Sequence, residues 1–425
     1  MGLPDLLGAL RERDFRLQFC AQATSLIGDN IVPVALAFAV LDLTGSASDL
    51  GIVLAARTLP LVVFVLAGGV WADRLPRHVL MLSSDLGRAV SQGVLAALLI
   101  TGRATVWEIV VLQAVNGTAT AFFRPASTGL TPHTVSAERL QQANALLYFT
   151  LSIASIVGPA LAGVLVATIG SGWAIAVDAA TFAVSAAFLL QLRVPPRIVA
   201  ARESFFAELA GGWREVRSRT WLWVCIVDFA FFQILFLSTF FVLGPEISKH
   251  SLGGAGAWAL IVSAMGVGSV LGSLLGLRYH PARPLFVAHL VILGVAPSLL
   301  LLGLRAPAIL VAIATVPTGL AMQFANTVYE TAMQQHVPDQ ALSRVAAYDW
   351  MGSTVLRPIG YVVVGPLAAV IGNRATLLGS AALMVGAELA TLMVPSVRNL
   401  PRRPRADELL PEPPVTPAAA VEPVE

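Results

Sequence analysis

Long apolar runs broken by short polar seams dominate the chain. The runs fall near 17–42, 50–71, 79–101, 106–126, 141–170, 172–192, 221–245, 254–277, 284–303, 307–330, 344–371 and 374–395. A helix needs about 20 apolar residues to cross the hydrocarbon of a bilayer, and an open strand edge cannot survive there. The pattern therefore predicts an all-α membrane protein of twelve transmembrane helices. One seam is long, residues 193–220, and it divides the runs six and six. Within it Phe205, Phe206, Leu209 and Trp213 recur at helical spacing with arginines between them, the pattern of a helix lying on a membrane surface. The expected organisation is a six-helix bundle over 1–192, a linker with an interfacial helix over 193–220, a second bundle over 221–395, and a disordered Pro- and Glu-rich tail over 396–425.

Composition agrees with lipid as the solvent. The chain is 56% hydrophobic and 12% charged, where soluble domains run near 45–50% and about 25%. A net charge of +2 and the lack of any long basic tract give no footprint for nucleic acid. Two cysteines, Cys20 and Cys225, lie in apolar runs and read as small packed residues rather than a disulfide or metal site. The mixed charges of MGLPDLLGALRERDFRLQF and the long apolar run after it read as a lead-in to an uncleaved first span. Nineteen of the 27 Lys and Arg residues fall on the side of the N-terminus, four on the other side and four inside spans. The positive-inside rule then places both termini in the cytoplasm. The wealth of Ala, Gly and Arg suggests a bacterial chain, so the expected location is the bacterial cytoplasmic membrane.

The two halves repeat. A constant shift of 202 pairs Gly117 with Gly319, Phe122 with Phe324, Val135 with Val337, Leu140 with Leu342, Gly158 with Gly360, Gly163 with Gly365 and Gly170 with Gly372. Six spans restore the starting orientation, so the repeats are parallel, and sites in such folds lie near the midplane between them.

The seam GGVWADRLPRH, between the second and third runs, resembles the signature G-x-L-A-D-R-x-G-R-[KR] of the major facilitator superfamily. Gly69, Ala72, Asp73, Arg74 and Arg77 match, while Trp71, Pro76 and His78 depart from it. The resemblance implies that Asp73 meets the N-terminal end of span eleven when the cytoplasmic side is closed, where a helix dipole favours an anion; a solvated turn is the plainer alternative. IVGPALAG, with Gly158, Pro159 and Gly163, resembles the antiporter signature G-P-x-x-[GA]-G, which in the family accompanies export. FFRPASTG, ERLQQANAL and RDFRL together resemble the branch of the enterobactin exporter and the macrolide efflux pumps, over nearly all of 11–395. One departure is clear: where that family often has R-x-x-Q-G, this chain has Gln113, Ala114, Val115, Asn116 and Gly117. The second-half copy of the first motif, GLRYHPARPL, has lost its acid, with His280 near that place.

Ionisable groups inside spans are costly and mark function. At 1.5 Å per residue, Asp29, Arg57 and Arg357 come out roughly 18, 21 and 20 Å deep. Asp29 is the candidate titrating group, with Arg57 or Arg357 as its partner or as a substrate contact; a static ion pair is the alternative. Asp178, expected near the outer face and wet, and Asp228 are weaker candidates. Glu388 is either an end residue or a packed polar group. Arg124, Glu330, Asp349 and Arg88 are expected toward the cytoplasmic ends, where Arg124 with Glu330 or Asp349 would close an inner gate. Nine phenylalanines, Phe38, Phe64, Phe122, Phe123, Phe231, Phe232, Phe236, Phe240 and Phe324, are either cavity lining or core and lipid contacts.

No nucleotide loop, nucleophile elbow or metal spacing occurs, so neither enzyme chemistry nor a cofactor or metal is called for. The expected activity is export of a small amphipathic compound in exchange for protons, by a monomer in the lipid bilayer. Movement of a siderophore or lysolipid is the alternative cargo, and a non-transporting receptor or scaffold the alternative class.

Overall fold

Backbone polar groups in hydrocarbon must be satisfied within their own segment, and the chain does this with helices almost throughout. The structure, a computed structural model, describes residues 7–193 and 213–402, with side chains at 7, 66–74, 339, 340 and 343 outside the described set. Twelve long helices cross the bundle: α1 (Arg13–Thr44), α2 (Ala47–Arg74), α3 (Arg77–Ile100), α4 (Val106–Leu130), α5 (Leu140–Ile169), α6 (Ser171–Leu189), α7 (Thr220–Leu252), α8 (Gly254–Arg278), α9 (Pro284–Gly303), α10 (Ala308–His336), α11 (Arg344–Ile371) and α12 (Asn373–Met393). Eleven of them are long and apolar enough to span by composition alone. The exception, α3, carries Ser84, Asp85, Arg88, Ser91 and Gln92, all buried against protein rather than lipid.

Several helices are interrupted where the cavity described below needs them. α7 widens into a π-helical stretch at Gln233–Ser238. α9 tightens at Leu293–Val295 before Pro297. The helix that begins at Asp339 breaks after Thr354 and resumes at Arg357, because Pro358 has no N–H for the Thr354 carbonyl.

The repeat is visible in the close contacts of paired glycines. A Cβ on Gly117 would strike the Arg57 carbonyl of α2, and one on Gly319 the Met265 carbonyl of α8. Gly158 lies against Asn30 of α1, and Gly360 against Ser238 and Ile234 of α7. Gly163 lies against Ala259 of α8, and Gly365 against Ser48 of α2. Each contact in the first half has its counterpart in the second, which accounts for Gly at these positions.

Among the described residues the two halves pack together mainly at one end. Call the end bearing Asp42 and Lys249 the top, and the end where α1 begins and α12 finishes the base. At the top α5 packs on α8 and α2 on α11. One apolar cluster joins Ile31–Leu41 of α1 to Phe232–Ile247 of α7. Within it Phe232, Phe236, Phe240 and Trp258 stack in succession at 5.2, 5.3 and 4.9 Å between ring centres. Lys249 bonds Asp42 at 2.6 Å and the Leu41 carbonyl at 2.7 Å. Asp42 is half exposed, so that ion pair contributes at most about 1 kcal/mol, and the seal is mainly apolar. Toward the base the apolar core divides. One cluster gathers Trp221, Tyr329 and Val345 of the second half, and two others gather Met81 and Phe123, and Phe15 and Leu146, of the first.

Of the expected linker helix, 213–218 is helical and Trp213 lies 5.8 Å from the Tyr348 ring; Phe205, Phe206 and Leu209 lie outside the described residues. Of the tail expected to be disordered from 396, Pro395–Arg398 forms a helical turn and Val397 is buried, while 403–425 lies outside the described residues.

Candidate functional site

A cavity of about 1100 Å³ separates the halves at mid-depth and toward the base. Phe229, Phe232, Tyr329, Tyr148, Trp350 and Met322 give it an apolar wall, and Arg124, Glu330, Asp349 and Arg357 are its charged groups. Two positive and two negative charges leave it without a strong sign. Its wall is built by the irregular stretches of the second half. The π-helical stretch of α7 brings Gln233 against the restart of α11, and the Gln233 side-chain oxygen Oε1 accepts from Arg357 Nε at 2.9 Å and from a terminal guanidinium nitrogen at 2.7 Å. Arg357 therefore belongs to the cavity wall and not to Asp29.

Asp29 instead joins a polar network inside the first half. Its two oxygens accept from Arg57 and Arg88, each at 3.1 Å. Arg88 also binds Asp85, whose other oxygen accepts from Ser185. The Arg88 guanidinium lies between the rings of Phe123 and Phe182, 4.4 and 4.2 Å from their centres, where cation–π attraction offsets part of its desolvation. Deeper in, Gln92 donates to Asp178 at 2.8 Å, and Gln113 to Gln92 at 3.0 Å. Arg88, Asp85, Asp178, Gln92 and Gln113 are all buried, while Asp29 and Arg57 are about a quarter and a fifth exposed.

Two expectations are corrected here. Arg88, expected toward the cytoplasmic ends, is instead the second partner of Asp29. Asp178 is not wet but fully buried, with one oxygen, Oδ1, unpartnered. The cations near Asp29 thus come from α2 and α3, while Gln113 of α4 serves Gln92. Three carboxylates, Asp29, Asp85 and Asp178, share this interior with two guanidiniums.

Arg124, Glu330 and Asp349 share the cavity without pairing across it. Asp349 accepts from the Tyr329 hydroxyl at 2.6 Å, and Glu330 from Asn326 at 3.2 Å. Gly69, Asp73 and Arg74 lie in 66–74, whose side chains are outside the described residues. Arg77 donates to the Gly129 carbonyl at the end of α4, a place where Gly leaves room for the guanidinium. In IVGPALAG, Pro159 lies within α5 and has no N–H for the Ser155 carbonyl. Gly266 of α8 packs on that carbonyl, and Ser263 donates to the next one, Ile156, at 3.0 Å. The motif is thus the first-half side of the seal between α5 and α8.

Most of the nine phenylalanines pack elsewhere. Among them only Phe232 lines the cavity. Phe64 and Phe231 are exposed, and Phe38, Phe123, Phe236, Phe240 and Phe324 are core.

The second half holds a buried cluster that the sequence reading left unassembled. His289 of α9 bonds Glu388 of α12 at 2.8 Å and lies 3.3 Å from Asp228 of α7. Glu388 is therefore a packed polar group. The other ring nitrogen of His289 faces the Cys225 sulfur at 3.5 Å, and Thr391 donates to Asp228 at 2.9 Å.

Comparisons with known proteins place these features. The family model described as transmembrane secretion effector, within the major facilitator superfamily, matches residues 6–422. The macrolide efflux protein A of Streptococcus pyogenes is 25% identical over 390 residues, covering 90% of this chain and 96% of that protein. The multidrug efflux pump Tap of Mycolicibacterium fortuitum is 30% identical over 407 residues, covering 89% and 95%. The crystal structure of the nucleoside transporter NupG matches with a TM-score of 0.66 at 15% identity over 89% of this chain and 98% of that one. A bacterial homolog of the human lysosomal transporter Spinster, in an inward-facing and unoccupied conformation, matches with a TM-score of 0.62 at 14% identity over 94% and 97%. At these identities the two structures show the fold.

Proposed function

Because the chain belongs to the transmembrane secretion effector family of the major facilitator superfamily, and is a multi-pass transport protein rather than an enzyme, we propose that it exports bulky amphipathic, drug-like compounds in exchange for protons. The observation that carries this reading is the cavity. It is sealed at the top, lined at the base by exposed Arg124, Asn326 and Glu330, and its wall is aromatic with few, balanced charges. Such a wall suits a large apolar body with a polar handle and offers no cluster of cations for a polyanion. The efflux functions named for the macrolide and multidrug relatives support the same cargo class and direction.

In this reading the base faces the cytoplasm of a bacterium, both termini lie there, and the monomer works in the cytoplasmic membrane. Residues 1–192 and 221–395 rock about the cavity, with 193–220 as the tether. Asp29 takes up and gives back a proton while Arg57 and Arg88 hold its orientation. Cells or vesicles loaded with ethidium test the proposal. Energy-dependent efflux that collapses with an uncoupler is the expected result, and no efflux of ethidium, a macrolide or a labelled lysolipid would return the chain to a scaffold role.

The same reading makes Arg124 with Glu330 or Asp349 the inner gate, open here and paired when the base closes. Arg124→Glu is expected to lower efflux severalfold, and Arg124→Glu combined with Glu330→Arg to restore it. A double variant no better than the single one, with Asp349→Arg equally silent, removes the pair from the gate.

A further inference from the structure

We infer that Asp228, His289 and Glu388 form a second proton-binding site, in the half opposite Asp29. Three polar atoms, one from each side chain, converge there within 4.8 Å of one another. Nδ1 of His289 faces Glu388 Oε2 at 2.8 Å and Asp228 Oδ2 at 3.3 Å. An unprotonated Nδ1 would set its lone pair against two anionic oxygens, so a proton must sit on that line. It still does not balance the site. With imidazolium against two carboxylates the cluster keeps one negative charge, its side chains are 3% exposed, and among the described residues no arginine or lysine pairs with it. An uncompensated buried carboxylate is strongly unfavourable. Asp228 Oδ2 also makes no hydrogen bond that satisfies it. A further proton on Asp228 or Glu388 removes both faults, since a carboxyl hydroxyl donates to the neighbouring carboxylate.

The surroundings are set for proton exchange rather than for a fixed pair. From α7 the cluster is faced by Cys225 and Asp228, from α12 by Glu388 and Thr391, and from the cavity side by Phe229, whose ring centre lies 6.2 Å from that of His289. Phe229 packs edge-on to Tyr329 at 5.2 Å, and Tyr329 holds Asp349. Tyr329 and Asp349 are thus the nearest titratable groups on the wall, with one aromatic ring between them and His289. A cargo that moves Phe229 would change access to the site.

Each cluster therefore carries one carboxylate more than its cations balance: three acids to two arginines around Asp29, two acids to one imidazolium around His289. The site itself does not depend on the antiport reading. Its consequence for transport does: if both clusters load and unload in one cycle, two protons move per cargo.

The purified full-length chain in lipid vesicles decides the matter. Infrared difference spectra across a pH step are expected to show the carbonyl stretch of a buried protonated carboxyl. Measured in an Asp29→Asn background, which leaves the first-half cluster with two charges of each sign, that band persists and is lost on adding Glu388→Gln or Asp228→Asn. In parallel, the 15N signals of His289 are expected to show an imidazolium bonded to two carboxyl groups and to change in Glu388→Gln. If Glu388→Gln does not fold, Asp228→Asn and the wild-type titration carry the test. A band that survives both substitutions, a His289 that titrates as in water, or one equivalent of divalent metal removed by chelator overturns the site. In ethidium exchange the ratio of protons to dye falls from about two to about one in Glu388→Gln, so the response to an imposed membrane potential is lost. Asp29→Asn that leaves pH-driven exchange intact would refute the antiport role of Asp29 while leaving the His289 site standing.

Discussion

Asp29→Asn is expected to fold normally and to lose efflux driven by a pH gradient. The substitution is isosteric, and it leaves Asp85 and Asp178 against Arg57 and Arg88, two charges of each sign. The interior becomes easier to keep ionised, so stability should change by no more than about 1 kcal/mol. Exchange of cargo down its own gradient needs no proton and should persist. Uphill efflux at a fixed pH gradient should fall at least tenfold, which corresponds to about 1.4 kcal/mol. Counterflow of labelled dye and pH-driven efflux, measured in the same vesicles, separate the two. Undiminished pH-driven efflux would reduce the network around Asp29 to a structural ion pair. The contrast is Arg88→Met. It removes the guanidinium between Phe123 and Phe182 and leaves Asp29 and Asp85 short of a cation, at a cost of about 3–5 kcal/mol. A folded, inactive Asp29→Asn beside an unstable Arg88→Met would separate proton chemistry from packing.

The sequence carries the frame of this protein more openly than its polar interior. Span length, the 202-residue repeat and the paired glycines are local or periodic signals, and the contacts of Gly117 with Arg57 and Gly319 with Met265 follow from them. Asp29 with Arg57 is legible because both stand alone in apolar runs at similar depth. Arg88 is harder to place. It lies eleven residues into α3, about 16 Å along the axis, and only the rotation of α3 against α1 and α6 turns it to Asp29. Arg57 and Arg357 are equally deep by counting. The π-helical stretch at Gln233 and the break before Arg357 divert the second of them to the cavity wall.

The His289 cluster has no local signature at all. Its members sit on α7, α9 and α12, with 99 residues between His289 and Glu388 and 64 between His289 and Cys225. One signal was available. His289 is the histidine inside the apolar run 284–303, and Asp228 and Glu388 are acids inside two others. Lone ionisable residues in separate spans of one bundle must find partners or stay neutral, so they tend to find each other. The phenylalanines misled for the opposite reason. An aromatic side chain is equally at home in lipid, core or cavity, and spacing does not distinguish Phe232 on the wall from Phe236 and Phe240 in the seal.

The seal at the top yields the second large effect: Gly51→Val is expected to hold the bundle open there. A Cβ at Gly51 would run into the carbonyl oxygen of Tyr361 on α11. A backbone atom cannot swing aside as a side chain can, so α2 and α11 must separate. Overpacking of this kind costs about 1–3 kcal/mol, and it is felt only in the state where the top is closed. The two states of a transporter differ by a few kcal/mol, so a penalty confined to one of them shifts their ratio by about 5–150-fold. Thr128 lines the cavity and is exposed. In a chain carrying Cys20→Ser, a Thr128→Cys thiol should react with an impermeant maleimide from the base side, and Gly51→Val should slow that labelling by a comparable factor and stop efflux. Gly93→Val is the control, because a Cβ at Gly93 meets nothing within 4 Å. Equal labelling in the two variants would mean that the top closes without the contact between α2 and α11. The apolar stack from Phe232 to Trp258 would then have to hold the halves together alone. Alternating access would depend on breaking that stack rather than on parting small residues at a helix crossing.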